Sequence, residues 1–245
     1  MRTSLSPASR SPGRINRALL SLFMKRTTIA ACEDIAEGFR LIVLKGPALK
    51  AATWTPGQKI QIAMGSAFVA RTYTPIDWDA AAGRTRLVGY AHGEGPGSAW
   101  IRRAEPGSAC DLFGPRRSLD VSAVSAPLAV LGDETSIGLA CALVRHGGAR
   151  AETCLFEVGD LEAGRQILSR LGLEGGALFG RAEDGTHLDA MEAALPALID
   201  NGAVFVLTGN ASTIQRLRQN LKSRGVPPTR LIAKAYWAPG KTGLD

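Results

Sequence analysis

Residues 65–79 read GSAFVARTYTPIDWD, and the four at the centre, Arg71, Thr72, Tyr73 and Thr74, set the reading of the whole chain. The stretch predicts a β-strand: Ala67, Val69 and Ile76 are apolar, and Tyr73 and Thr74 favour extended backbone. Side chains alternate along a strand, so Arg71 and Tyr73 share a face and Thr72 takes the other. A cation, an aromatic plate and a hydroxyl within four residues suit either a ligand-contacting strand or an ordinary edge strand. The neighbouring elements decide between them.

From residue 27 to about 120 the pattern stays β. Candidate strands are TTIAACEDI, FRLIVLKG, QKIQIAM, VARTYTPID, RTRLVGYAH and a short one near ACDLFGP, separated by turn signals such as TPGQ and AAAGR. Six short strands of this kind predict a small antiparallel barrel over residues 27–122, interrupted by one helix near GPGSAWIRRA. From residue 127 strands and helices alternate: APLAVLGD, ETSIGLACALVRHG, AETCLFEV, LEAGRQILSRLG, GALFG, LDAMEAALPALIDNG, AVFVLTGN, ASTIQRLRQNLKSRG and RLIAKAYW. That rhythm predicts a parallel-sheet α/β domain over 127–245, with ligands at the carboxyl ends of its strands. Residues 1–26 are a basic segment. Its first dozen residues are rich in Ser, Pro and Arg and read as disordered. Ile15, Ala18, Leu19, Leu22 and Phe23 then form one apolar helical face, expected to dock on the body. Contact with a membrane surface and a transit-like leader are the other readings, and Met24 is an alternative start.

The formal net charge of +7 is concentrated at the amino end. Arg2, Arg10, Arg14, Arg17, Lys25 and Arg26 all precede the first acid, Glu33, and without them basic residues exceed acidic ones by one. A nearly neutral body argues against a nucleic-acid-binding face. Cys32, Cys110, Cys141 and Cys154 form no C-x-x-C or zinc spacing and read as buried free thiols; with three histidines in the chain, no metal site is expected. No apolar run is long enough to cross a bilayer, so a soluble, cytoplasmic protein without stable membrane insertion is the expectation.

Two further stretches carry chemistry. In AHGEGPGSAW, residues 91–100, glycines and a proline lead into a helix at Ser98. A helix amino end is an anion site; Gly97 lets a phosphate approach the backbone, and Ser98 either caps the helix or donates to the phosphate. His92 either reaches a bound ligand or caps its strand. LGDETSIG, residues 131–138, closes the first α/β strand without the G-x-G-x-x-G fingerprint, leaving Asp133 as a helix cap and Glu134 as a first-turn acid. Glu157 and Asp160, near the end of the second α/β strand, hint at a contact with a free ribose hydroxyl.

RTYT, then HGEGPGSAW, then GDET and a closing AYWAPG together resemble the siderophore-interacting proteins, FAD-dependent ferric-siderophore reductases of the ferredoxin-reductase-like superfamily. The resemblance spans roughly residues 15–240. Gly97 replaces the usual alanine, TSIG follows GDE where TALP is commoner, and Asn210 stands where the family usually has glutamate. The resemblance implies that Arg71 pairs with the FAD pyrophosphate, Tyr73 stacks on the flavin and Thr74 hydrogen-bonds near its N5, making Tyr73 and Thr74 the catalytic pair. His92, Gly97 and Ser98 would complete the FAD site; Asp133, Thr135 and Asn210 would serve NAD(P)H. Lys234, Trp237 and Lys241 would meet an anionic ferric siderophore, with the protein a monomer and no resident metal. Three alternatives stay open: a flavin enzyme with a ferredoxin, flavodoxin or quinone-like acceptor, a siderophore binder without redox turnover, and a nucleic-acid-binding barrel.

Overall fold

The computed structural model describes residues 24–66, 69–146 and 152–241, so the expected amino-terminal helix lies outside the described residues. The first half is an antiparallel sheet of β1 (Lys25–Ala36), β2 (Phe39–Lys45), β3 (Lys59–Ser66), β4 (Val69–Tyr73), β5 (Pro75–Asp79), β6 (Arg84–Tyr90) and β7 (Ala109–Arg116), in the order β4-β3-β7-β1-β2-β6-β5. Lys25 and Arg26, expected to end the basic segment, already belong to β1.

The sheet has seven strands, where the sequence pattern suggested six. The difference lies in VARTYTPID, which breaks after Tyr73. Pro75 has no N–H to continue the ladder, so β4 pairs with β3 and β5 with β6. These strands stand at opposite edges of the sheet yet are joined by the single residue Thr74. That short link forces the two edges together, and the sheet curls into a barrel around Ile29, Ile42, Leu44, Ile60, Ile62 and Leu87. Helix α1 (Pro96–Arg103) packs on it, with Ile101 buried; the contact is close enough that a Cβ on Gly89 would meet Ile101 Cγ1 at 2.8 Å.

The second half has a five-stranded parallel sheet, β10-β9-β8-β11-β12, of β8 (Leu128–Asp133), β9 (Glu152–Val158), β10 (Ala177–Gly180), β11 (Val204–Asn210) and β12 (Leu231–Trp237). Helices α2 (Ile137–His146) and α3 (Leu161–Leu171) cover one face. Helices α4 (Thr186–Ala193), α5 (Leu195–Asp200) and α6 (Ala211–Ser223) cover the other. The sequence suggested one helix for α4 and α5; Pro196 starts a new one because its ring cannot continue the old. Strand order reverses between β8 and β11, the switch point where such sheets bind ligands.

Residues 137–143 of α2 are all buried, as expected of a helix apolar on every side. It lies between the halves, joining Phe39, Leu41 and Ile76 of the barrel to Leu128, Val130 and Phe156 of the α/β sheet in one apolar core. Glu33 and Arg170 clasp across the rim at 2.9 Å.

Candidate functional site

Thr74 marks the place where the halves meet. The amino end of α2 crosses it so closely that a Cβ on Gly138 would lie 3.5 Å from the Thr74 carbonyl oxygen. Around this point opens a cavity of about 630 Å³ with one wall from each half. That volume is in the range of a small-molecule site.

The barrel wall comes from the end of β4 and from the loop into α1. Arg71 and Tyr73 lie opposite Ile62 and Ile60 of β3 and both line the cavity, with Thr74 beyond them. The Tyr73 ring leans on Trp100 at 5.6 Å, and burial raises its phenol pKa above the usual value. Arg71 gives one N–H to the Ala70 carbonyl at 2.8 Å. Gly97 is small for a reason: a Cβ there would lie 3.2 Å from Arg71 Cγ and 3.3 Å from the Tyr73 hydroxyl. The glycine lets α1 settle on both side chains.

No side chain caps α1. Ser98 was expected to cap or to reach an anion, but its hydroxyl donates to the His92 carbonyl at 2.5 Å. Its remaining donor to a ligand is its own backbone N–H, beside that of Gly97, since Pro96 has none. His92 stacks on Tyr90 at 5.3 Å and stands 6.2 Å from Trp237, so an aromatic row crosses the junction.

Thr135, Lys234, Trp237 and Lys241 line the opposite wall with Glu134 and Tyr236. Asp133 and Asn210 are not among the lining residues. Asp133 is fully buried at the switch point, where Oδ1 accepts from the Thr135 N–H at 2.8 Å and from the Thr135 hydroxyl. Its Oδ2 accepts from Asn210 N–H at 2.8 Å and Trp237 Nε1 at 2.7 Å. Burial pushes this carboxyl up, and the Thr135 and Trp237 bonds pull it back down. One carboxylate thus ties β8, β11 and β12 together and sets the Trp237 ring against the cavity. Gly209 makes room for it: its φ is +97°, and a Cβ would fall 2.4 Å from Asp133 Oδ2. Asn210 caps α6 by accepting from Ser212 N–H at 3.0 Å.

A second buried group was not legible in the sequence. Glu134 Oε1 accepts from Gly159 N–H at 2.7 Å, and its Oε2 pairs with Arg181 at 2.9 Å. The Tyr90 hydroxyl reaches Glu134 Oε1 from the barrel at 3.4 Å. Burial, then the Glu134 carboxylate, pushes the Tyr90 phenol up to about 12. Glu157, the residue hinting at a ribose contact, is buried and already engaged. It accepts from Thr213 Oγ1 at 2.7 Å, and its other oxygen faces His187 Nε2 at 2.9 Å. Because His187 Nδ1 accepts from Ala182 N–H at 3.1 Å, Nε2 carries the ring hydrogen and donates to Glu157. Asp160 caps α3. Glu157 is not placed to meet a ribose, whereas Asp160 is exposed and uses only Oδ1 in its cap. Among the described residues no cluster of His, Cys, Asp and Glu could hold a metal, and no helix is long and apolar enough to cross a membrane.

Two family models match the chain in sequence order. The siderophore-interacting FAD-binding domain covers residues 55–119, and the siderophore-interacting protein model covers residues 126–240. No curated protein matches. Among solved structures, the siderophore-interacting protein SipS from Aeromonas hydrophila is 21% identical with a TM-score of 0.74, over 89% of this chain and 93% of that one. A siderophore utilization protein from T. fusca is 22% identical with a TM-score of 0.70, over 91% and 95%. The ferredoxin reductase in carbazole 1,9a-dioxygenase is 15% identical with a TM-score of 0.71, over 86% and 68%. At these identities the likeness is one of fold.

Proposed function

The chain belongs to the siderophore-interacting protein family, and from that premise we propose that it is an FAD-dependent ferric-siderophore reductase that takes electrons from NAD(P)H. The observation that carries the reading is the cavity at Thr74. One wall gathers an arginine, a tyrosine face and an uncapped helix end, and the other gathers Lys234, Trp237 and Lys241.

The residues present fit FAD. Arg71 has the planar fork that matches a pyrophosphate, and the first N–H groups of α1 add a second set of donors beside it. Gly97 keeps that approach open. Tyr73 offers a ring face, and Thr74 a hydroxyl beside it. FAD, when bound, accepts a hydride and returns electrons singly, as a ferric ion requires.

The chain's own part is to position and to exclude water. Tyr236 and Trp237 cover the α/β side of the cavity, and the Asp133 bond holds Trp237 in place. Lys234 and Lys241 supply positive charge for an anionic ferric chelate, which is the substrate. The nucleotide is assigned to the carboxyl ends of β8 and β11, where Thr135 faces the cavity and Asn210 holds the first turn of α6. With Glu157 engaged elsewhere, the acidic signal for NADH over NADPH rests on Asp160 alone.

The test is anaerobic. Each nucleotide is added to the flavin-loaded protein, then hydroxamate, catecholate and carboxylate ferric chelates, with a coloured ferrous-specific ligand as the trap. The proposal expects bleaching by NADH or NADPH and ferrous colour on adding a chelate. A protein that stays reduced with every chelate and reoxidises with a ferredoxin or flavodoxin has another acceptor.

A further inference from the structure

The helix that turns its amino end to the cavity is held by its other end. Asp34 of β1, Arg40 of β2 and Gly89 of β6 stand opposite one another across three neighbouring strands. Residues opposite each other in a ladder share a face, and here it is the face that carries α1. At Gly89 the sheet has no side chain, and Ile101 fills the space: a Cβ would meet its Cγ1 at 2.8 Å and its Cγ2 at 3.1 Å. Beside it Arg40, mostly buried, reaches the helix backbone.

Arg40 Nη1 stands within donor reach of three carbonyls, those of Ile101 at 2.7 Å, Ala104 at 3.0 Å and Arg102 at 3.2 Å. Asp34 Oδ1 lies 2.7 Å from its Nε and steadies the guanidinium from β1. The last carbonyls of a helix find no partner inside it. In α1 a single cation from another strand serves three of them, and its charge complements the negative end of the helix dipole. Ile101 is thus fixed twice, by its side chain on Gly89 and by its carbonyl on Arg40.

α1 has eight residues, about two turns, so whatever fixes one end sets the other. Its amino end has no side-chain cap, and its first internal bond runs from Ala99 N–H to the Gly95 carbonyl at 3.0 Å. The N–H groups of Gly97 and Ser98 come ahead of that bond, and both residues line the cavity with Arg71. We propose that Arg40 is a positioning residue: its grip on the carboxyl end of α1 sets the height and turn of the helix, and with them the place of the Gly97 and Ser98 N–H groups beside Arg71.

The proposal rests on the FAD reading, in which those donors and Arg71 share one pyrophosphate. Arg40 is not among the cavity-lining residues, so its effect on a bound flavin passes through the helix. Arg40→Met keeps the length of the side chain and removes every donor. Gly89→Ala moves the same end of α1 by another route, through Ile101. Arg40→Lys keeps a charged donor for the nearest carbonyl.

The experiment is FAD titration of the folded variants, with phosphorus NMR of the bound pyrophosphate and the visible spectrum of the bound flavin ring. Arg40→Met and Gly89→Ala are each expected to raise the FAD Kd roughly tenfold and to shift the pyrophosphate resonances, with the ring spectrum unchanged. Arg40→Lys is expected between Arg40→Met and wild type, and it replaces Arg40→Met with Gly89→Ala if that variant fails to fold. An unchanged Kd with unmoved phosphorus resonances overturns the proposal. So does a weaker Kd in which the ring spectrum changes and the phosphorus resonances do not, because Arg40 then supports the barrel in general. A folded wild type that takes up no flavin overturns the FAD reading instead.

Discussion

Replacing Asp133 by asparagine changes little in size and should still loosen the junction of the two halves. The four bonds to its carboxylate come from three N–H groups and one hydroxyl. An ionised carboxylate satisfies this pattern on both oxygens. An asparagine has one oxygen, so it can keep the Thr135 pair or the Asn210–Trp237 pair and must set its NH2 against the other. Two bonds to a charged acceptor are lost, at roughly 1.5–3 kcal/mol each. The expected loss is about 3–6 kcal/mol, the same scale as breaking a buried charged pair. For a chain of this length that lowers Tm by roughly 6–24 °C. Thermal and urea unfolding followed by near-ultraviolet circular dichroism reads the loss. Tryptophan fluorescence reports the release of Trp237, whose Nε1 bond to Asp133 is 2.7 Å. A variant within about 1 kcal/mol of wild type would show that Asp133 does not organise this junction.

Arg71→Ala should weaken FAD by about 1.5–3 kcal/mol, roughly ten- to a hundredfold in Kd by fluorescence titration, with Tm of the flavin-free protein little changed. Gly209→Ala combines a φ of +97° with a Cβ 2.4 Å from Asp133 Oδ2 and should cost more than about 2 kcal/mol in urea unfolding; a neutral result would mean that the β11 turn relaxes freely. Burial pushes the Tyr236 phenol from its ordinary 10.0 up to about 12, and Tyr90 likewise. The folded chain keeps these protons where an unfolded tyrosine has lost them. The share of stability that these two phenols carry is therefore whole below pH 10 and falls as pH rises toward about 12, with a shallower fall in Tyr236→Phe.

The part of this architecture legible in the sequence is the part written in local pattern. Alternation, turn residues and helical period place nearly every strand and helix, and the order of halves follows from them. Thr74-Pro75 shows the limit: the residues favour one continuous strand, and only the missing N–H of Pro75, read against two different partners, reveals a break. Within the site, Arg71, Tyr73, Thr74 and Gly97 are close in sequence or share a motif. Asp133 could be read as a cap, but its bond to Trp237 joins residues 104 positions apart. Arg181 and His187 stand in no motif; they gain meaning from Glu134 and Glu157 across the sheet. Glu157 shows the converse, an acid at a suggestive position whose oxygens the fold has already engaged.

The central claim, that the cavity at Thr74 holds FAD, is tested most directly by equilibrium titration of the folded protein with FAD, followed by flavin fluorescence and absorbance, in wild type and Arg71→Ala. The account predicts saturation at one FAD per chain, and a weaker isotherm for Arg71→Ala with the same end point. A folded wild type that leaves the flavin spectrum unchanged, or binds FAD equally well without Arg71, would contradict it.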